Sequence, residues 1–172
     1  MNNTISKIGF GGSCHWCTEA IFQSLKGVVQ VEQGWIASDG DASSFSEAVI
    51  VHFDAGVISL ETLIAVHLHT HSCTSSHSMR FKYRSAVYTF RDDQVQPADL
   101  AISELQKDFD SVIITRVIPF KDFKINDQVY LNYYYSNPEK PFCENIVVPK
   151  LRLLIQQFSG QVDKTKLAGL QD

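Results

Sequence analysis

Cys14 and Cys17 stand three residues apart, directly after Gly11-Gly12-Ser13 and at the head of an apolar stretch with helical spacing. The glycines permit a tight turn, so Cys14 falls at the first turn of a helix. Unpaired backbone N–H groups and the helix dipole stabilise a thiolate there, and the thiolate is the nucleophilic form of cysteine. Cys17 lies close enough along the helix to interact with it. A purely structural reading, a small buried hydrophobe, suits Cys17 and suits Cys14 poorly. Glu47 is the second chemical feature, flanked by Phe45, Val49 and Val51 at alternating strand positions. That register points the carboxyl into the core, where burial would make it a proton donor. An edge-strand Glu turned to solvent, or a strand shifted by one residue, is the structural alternative. Together a helix-start thiolate and a buried donor define a site that attacks a polarised centre and protonates the departing oxygen.

These residues need elements to hold them. Ile8 and Phe10 predict a short strand running into the glycines, and a helix follows from Cys14 to Lys26 with Gly27 as its left-handed stop. Val29 and Val31 open a second strand leading to Trp35, and residues 38–41 form a loop. Residues 45–54 are the most legible strand, with Phe45, Glu47, Val49, Val51 and Phe53 on one face. Ser59 caps a helix carrying Leu60, Leu63, Ile64, His67 and Leu68. A Ser- and His-rich connector leads to a strand at Tyr83–Phe90. Pro97 then starts a helix that buries Leu100, Ile102 and Leu105 in some combination, and a strand follows at 112–118. The chain reads as irregular until Pro149 opens a helix with Leu151, Leu154, Ile155 and Phe158 inward. The order β-α-β-β-α-β, with a further helix and strand, is a split βαβ pattern. The fold class is α+β: a mixed sheet with helices, a ferredoxin-like core and an irregular C-terminal segment.

The chain has 172 residues, and a formal net charge of −4 disfavours a nucleic-acid binder, whose footprint is basic. No apolar run approaches the ~20 residues of a membrane span. The start, MNNTISKIGF, carries no secretory pattern, so a cytoplasmic location is expected and the four cysteines read as thiols rather than disulfides.

The segment GGSCHWCTEAIFQSLKGV resembles the active-site stretch of the A-type peptide methionine sulfoxide reductases, whose motif reads GGCFWCTEA or close to it. The likeness continues in order through SEAVIVHFD, FKYRSAVYTF, VIPFKDF and SNPEKPFCENIVVPKL, covering most of residues 6–158. It implies one catalytic domain over 1–158, with 159–172 as a polar, loosely attached tail. It also implies reduction of methionine S-sulfoxide, free or in proteins, to methionine. Cys14 matches the nucleophile that becomes a sulfenic acid, Glu47 the residue that donates hydrogen to the sulfoxide oxygen, and Tyr83 a tyrosine that helps hold it. Trp16 matches part of the aromatic box for the substrate methyl group. Cys143 matches the resolving cysteine, and Cys17 is a second possible resolver. No cofactor is implied; reducing equivalents come from thioredoxin, or from dithiothreitol in its place.

Four positions depart from the family pattern. His15 replaces the motif Phe in the methyl-binding wall, and Trp35 falls where a second oxygen-binding Tyr is usual. Ser78 replaces an Asp, in a connector about four residues shorter than the family's, and Tyr130 replaces a His. Removing one preorganised donor costs on the order of 10²–10³ in rate. The departures therefore imply a slowed or re-tuned reductase, with a thiol redox sensor or binding module as the alternative. His67, His69, His71, Cys73 and His77 crowd one segment, but only His67 and His71 share a helix face and no zinc spacing is matched, so no metal is expected. A thioredoxin-like reading of C-x-x-C is disfavoured because no proline precedes Pro97.

Overall fold

A computed structural model describes residues 5–170. Strand β1 (Ile5–Gly11) runs into the glycines with Ile8 and Phe10 fully buried, and helix α1 (His15–Gln23) follows. After β2 (Val28–Ala37) and β3 (Ser46–Asp54), helix α2 (Leu60–His69) leads by a long connector to β4 (Ala86–Thr89). Helix α3 (Val95–Leu105) then crosses to β5 (Arg116–Pro119), and β6 (Asp122–Ile125) comes next. The short α4 (Tyr133–Ser136) and the final α5 (Val148–Gln157) complete the fold.

The sheet order is β5-β4-β1-β3-β2-β6, with every pairing antiparallel except β4 with β5. The central four strands are the split βαβ arrangement expected from sequence; β5 and β6 extend it at opposite edges. Strand β3 is buried on both faces. Val49, Val51 and Phe53 meet Ile21, Phe22, Ile64 and Leu68 in the main core, while Ala48 and Ile50 join Ile36, Ala86 and Tyr88 on the other side. Such a strand shows no clean apolar-polar alternation, because neither face meets water.

Several expectations are corrected. Helix α1 ends at Gln23, not Lys26: Ser24 Oγ donates to the Ala20 carbonyl at 2.6 Å and closes the last turn. Gly27, at φ +87°, shapes the turn into β2 instead of stopping the helix. Phe45 precedes β3 and is 44% exposed, since the strand starts where Ser46 Oγ donates to the Lys82 carbonyl. Tyr83 lies in the loop before β4, and residues 112–115 precede β5 with Val112 exposed. Helix α3 packs Ile102 and Leu105 partly buried against the core, as expected, but leaves Leu100 exposed and turns Ala98 and Ala101 fully inward; small residues there allow close packing on α2.

The region after Phe158 is not loosely attached over its described part. Lys26 N–H donates to the Gln161 carbonyl at 2.8 Å, Asp163 N–H to the Ser24 carbonyl at 2.7 Å, and Val162 and Leu167 are buried in the main core. Two apolar residues five positions apart in a polar stretch carry this docking, too sparse a pattern to read as an element. Residues 171–172 lie outside the described residues.

Candidate active site

Cys14 is the N-cap of α1, at φ −51° and ψ 131°, and its carbonyl accepts from the N–H groups of Cys17 and Thr18, both at 3.1 Å. The tight turn before it depends on Gly12, whose φ is +146°. A Cβ there would also stand 2.5 Å from the His71 ring, so only glycine lets the chain pass over that histidine. The Cys14 thiol is pulled below its ordinary 9.0, chiefly because the Cys17 thiol donates to it. Burial opposes the shift, and so does Glu47 whenever it is ionised, while the N–H groups of Trp16 and Cys17 add to it. Cys17 moves the other way: as the donor to Cys14, and buried, it holds its proton tightly. Cys143 is fully buried, which raises its thiol too, and it stands near enough to Cys17 to oppose its ionisation.

Glu47 occupies the end of β3 on the α1 face and is 6% exposed. Its Oε1 accepts from the His15 main-chain N–H at 3.2 Å, and its Oε2 lies 3.5 Å from Lys82 Nζ. Directly across in β2 is Trp35, which the register pairs with Glu47. The His15 ring wedges between them, edge-on to Trp35 at 5.1 Å and with Nε2 3.5 Å from Glu47 Oε1. Its Nδ1 lies 3.0 Å from the Gly34 carbonyl, and burial keeps the ring below its ordinary 6.5. His15 is therefore a buried ligand of the carboxyl.

Trp16 stands in an aromatic cluster. Its ring stacks on Tyr133 at 4.1 Å and Tyr130 at 5.7 Å and meets the edge of Phe142 at 5.3 Å. The buried Glu19 fastens the loop that carries these tyrosines. Its carboxyl accepts from Asn132 N–H at 2.9 Å, Tyr133 N–H at 3.0 Å and Gln33 Nε2 at 3.0 Å.

A cavity of ≈ 590 Å³ opens beside Cys14, lined also by Cys17, Tyr83, Met79, Phe142 and Lys150. The structure thus gathers the two motif cysteines and Tyr83 at one cavity, with Cys143 behind Cys17. His15, Trp16, Trp35, Glu47 and Tyr130 are linked by ring and carboxyl contacts around the α1 N-terminus, and Phe142, which lines the cavity, meets the Trp16 ring. Lys82 bridges the groups, reaching Glu47 and lying 5.2 Å from the Tyr83 ring centre. Ser78 is exposed in a short turn.

Sequence reading missed Lys82, Tyr133, Gln33 and Asn126. The Tyr-Tyr-Tyr run hinted at an aromatic contribution, but the Asn126–Gln33 contact at 2.6 Å joins residues 93 apart and leaves no local signal. The Ser- and His-rich segment lines one side of the cavity, with His71 and His77 among its residues, and braces the turn before Cys14. Arg80 donates to the carbonyls of Gly12, Tyr83, Ser75 and Ser72, and His67 Nε2 lies 2.8 Å from the Gly11 carbonyl. Among the described residues no group of three or more His, Cys, Asp or Glu is placed to hold a metal ion, and no helix is long and apolar enough to cross a membrane.

A helix-start cysteine eased toward its thiolate, a second thiol donating to it and a buried carboxyl nearby define a thiol-based oxidoreductase site on an α+β scaffold. The profile of the peptide methionine sulfoxide reductase family matches residues 6–162, and the chain belongs to that family. It is 32% identical over 155 residues to a Pasteurella multocida peptide methionine sulfoxide reductase MsrA, covering 82% of this chain and 89% of that one. The Deinococcus radiodurans MsrA is also 32% identical, over 169 residues, covering 89% and 82%. In fold, the chain is similar to reduced Mxr1 of Saccharomyces cerevisiae, with TM-score 0.71, 22% identity and coverage of 79% and 87%. It is likewise similar to Mxr1 in complex with Trx2, with TM-score 0.60, 20% identity and coverage of 70% and 80%.

Proposed function

We propose that this protein reduces the S epimer of methionine sulfoxide to methionine, with Cys14 as the nucleophile and Glu47 as the acid. The observation that carries the reading is the Cys14 thiol itself, poised at the α1 start with Cys17 donating to it. The thiolate attacks the sulfoxide sulfur, Glu47 delivers a proton to the oxygen, and methionine departs. Two electrons pass from Cys14 to the substrate; the oxygen and the proton remain on Cys14 as a sulfenic acid. Tyr83, on the cavity wall, helps hold the oxygen, and the aromatic cluster around Trp16 receives the methyl group.

Cys17 resolves the sulfenic acid first. It already touches Cys14, and the main cause of its tightly held proton, donation to the Cys14 thiolate, vanishes once Cys14 is oxidised. A disulfide forms and water leaves. Cys143, next to Cys17, can take over that bond and present it for reduction. Thioredoxin is the reductant in this scheme, supported by the similarity to a Mxr1 structure determined with Trx2. A reducing cytoplasm suits a chain whose four cysteines are free thiols.

The test is a dithiothreitol-driven assay on the separate epimers of a methionine sulfoxide peptide. Turnover confined to the S epimer supports the reading. No turnover on either, with Cys14 still reactive, supports the redox-sensor alternative instead.

A further inference from the structure

The contacts of His15 deepen the reading of Glu47 as the acid and rest on it. The His15 Nδ1 faces a carbonyl oxygen, that of Gly34 at 3.0 Å, so the ring hydrogen sits on Nδ1. In the neutral ring Nε2 is then an acceptor, and it faces another acceptor, Glu47 Oε1, at 3.5 Å. Both side chains are almost fully buried, His15 at 5% and Glu47 at 6%, so water cannot screen the repulsion between two lone pairs. A proton between them converts that repulsion into a hydrogen bond.

We propose that His15 is a positioning residue for proton delivery: its Nε2 accepts from a protonated Glu47 and keeps that acid loaded for the sulfoxide oxygen. Each reduction converts a thiolate, a sulfoxide and a carboxylic acid into a sulfenic acid, a sulfide and a carboxylate. Solvent must then return one proton to Glu47, and Nε2 gives it a place to stay.

The surroundings fit this assignment. Asn126 Nδ2 donates to Gln33 Oε1 at 2.6 Å and stands farther, 3.4 Å, from His15 Nε2, so its close bond goes to Gln33 and the single Nε2 lone pair is left to the carboxyl. Because Asn126 turns an amide NH2 toward Nε2, no hydrogen belongs on that nitrogen, and the shared proton belongs to the carboxyl. Burial acts in the same direction by keeping the imidazole uncharged. The other groups facing the pair are the Trp35 ring and two that favour the carboxylate, the His15 main-chain N–H on Oε1 and Lys82 on Oε2, against which the Nε2 lone pair acts. Glu19 stands behind Gln33, holding its amide.

The experiment is a single-turnover rate for the S sulfoxide across pH, in wild type, His15→Phe and Glu47→Gln. A phenylalanine keeps the wall but has no lone pair. If His15 holds the acid loaded, His15→Phe moves the alkaline fall in rate to lower pH. Its rate drops about tenfold at pH 8 with little change at pH 6 or in KM, a part of the roughly 10²–10⁴ available to general acid catalysis. A His15→Phe profile parallel to wild type overturns the proposal. So does a variant faster at every pH, which would make His15 only a poor methyl wall.

If His15→Phe does not fold, an infrared difference spectrum of wild type against Glu47→Gln at pH 7 decides. A carboxylic-acid C=O band that vanishes with Glu47 supports the shared proton, and its absence overturns it. Undiminished single turnover in Glu47→Gln would instead overturn Glu47 as the acid, a separate failure of the proposed mechanism.

Discussion

Cys14 draws its reactivity from three donors, the Cys17 thiol and the N–H groups of Trp16 and Cys17, against the opposing effects of burial and Glu47. Its alkylation by iodoacetamide should therefore reach half its maximal rate below pH 9.0, the ordinary thiol value. Replacing Cys17 by Ala removes the largest of those donors, so the midpoint should rise toward 9.0. A midpoint unchanged in Cys17→Ala would show that the helix start alone activates the nucleophile. Cys14 was legible from sequence because its chemistry is local: glycines, a helix start and a second thiol lie within seven residues. His15 was legible only as a departure from the family motif. Its partners come from β2, β3 and the segment after β6, and a single sequence gives no sign of such contacts.

At the scale of elements, the site depends on how closely two outlying pieces are held. Glu19 on α1 is the anchor of the loop carrying Tyr130 and Tyr133, accepting three hydrogen bonds from it and from Gln33. Glu19→Ala leaves buried donors unpaired, at about 1–3 kcal/mol each. It should lower stability by several kcal/mol in denaturant titration and weaken sulfoxide binding as the aromatic cluster loosens. Strand β6 depends on Gly34, where a Cβ would collide with the Lys124 carbonyl. Gly34→Ala should therefore speed amide hydrogen exchange in β6 while leaving β1, β3 and β4 protected; uniform exchange would contradict that division. The edge strands explain much of what sequence missed. Strand β6 is four residues with little burial, whereas the central strands and α2 announce themselves by apolar runs and a Ser59 cap. Strand β4 is short because the preceding residues, including Tyr83, are drawn into the loop that Arg80 fastens.

For the whole molecule, two histidines beneath the Gly11–Gly12 turn link stability to acid. Burial lowers His67 well below 6.5 and His71 to about 4, while the unfolded chain takes up protons near 6.5. Between those values the unfolded state binds more protons, so this contribution is complete above about 6.5 and is lost as pH falls toward 4. For His71 alone the loss is on the order of 3 kcal/mol. Glu19, raised by burial, acts in the opposite sense at acid pH, so the variant comparison reads the effect. Equilibrium unfolding of His71→Gln should show a shallower decline between pH 6.5 and 4 than wild type, and an equal decline would remove His71 as a cause. The docked C-terminal segment belongs to this scale as well. Val162 and Leu167 complete the core, a role visible only once the β2 entry and α5 are in place around them.

The central claim is that Cys14 takes the oxygen from a methionine S-sulfoxide. The direct measurement mixes reduced protein with the S epimer in the absence of any reductant and counts methionine formed per chain. Wild type should release at least one equivalent, the first with loss of two thiols as one sulfenic acid is resolved into one disulfide, and a second where Cys143 takes over that bond and frees Cys14. Cys14→Ser should release none. Methionine formed by Cys14→Ser, or none formed by a wild type whose Cys14 still alkylates, would contradict the account.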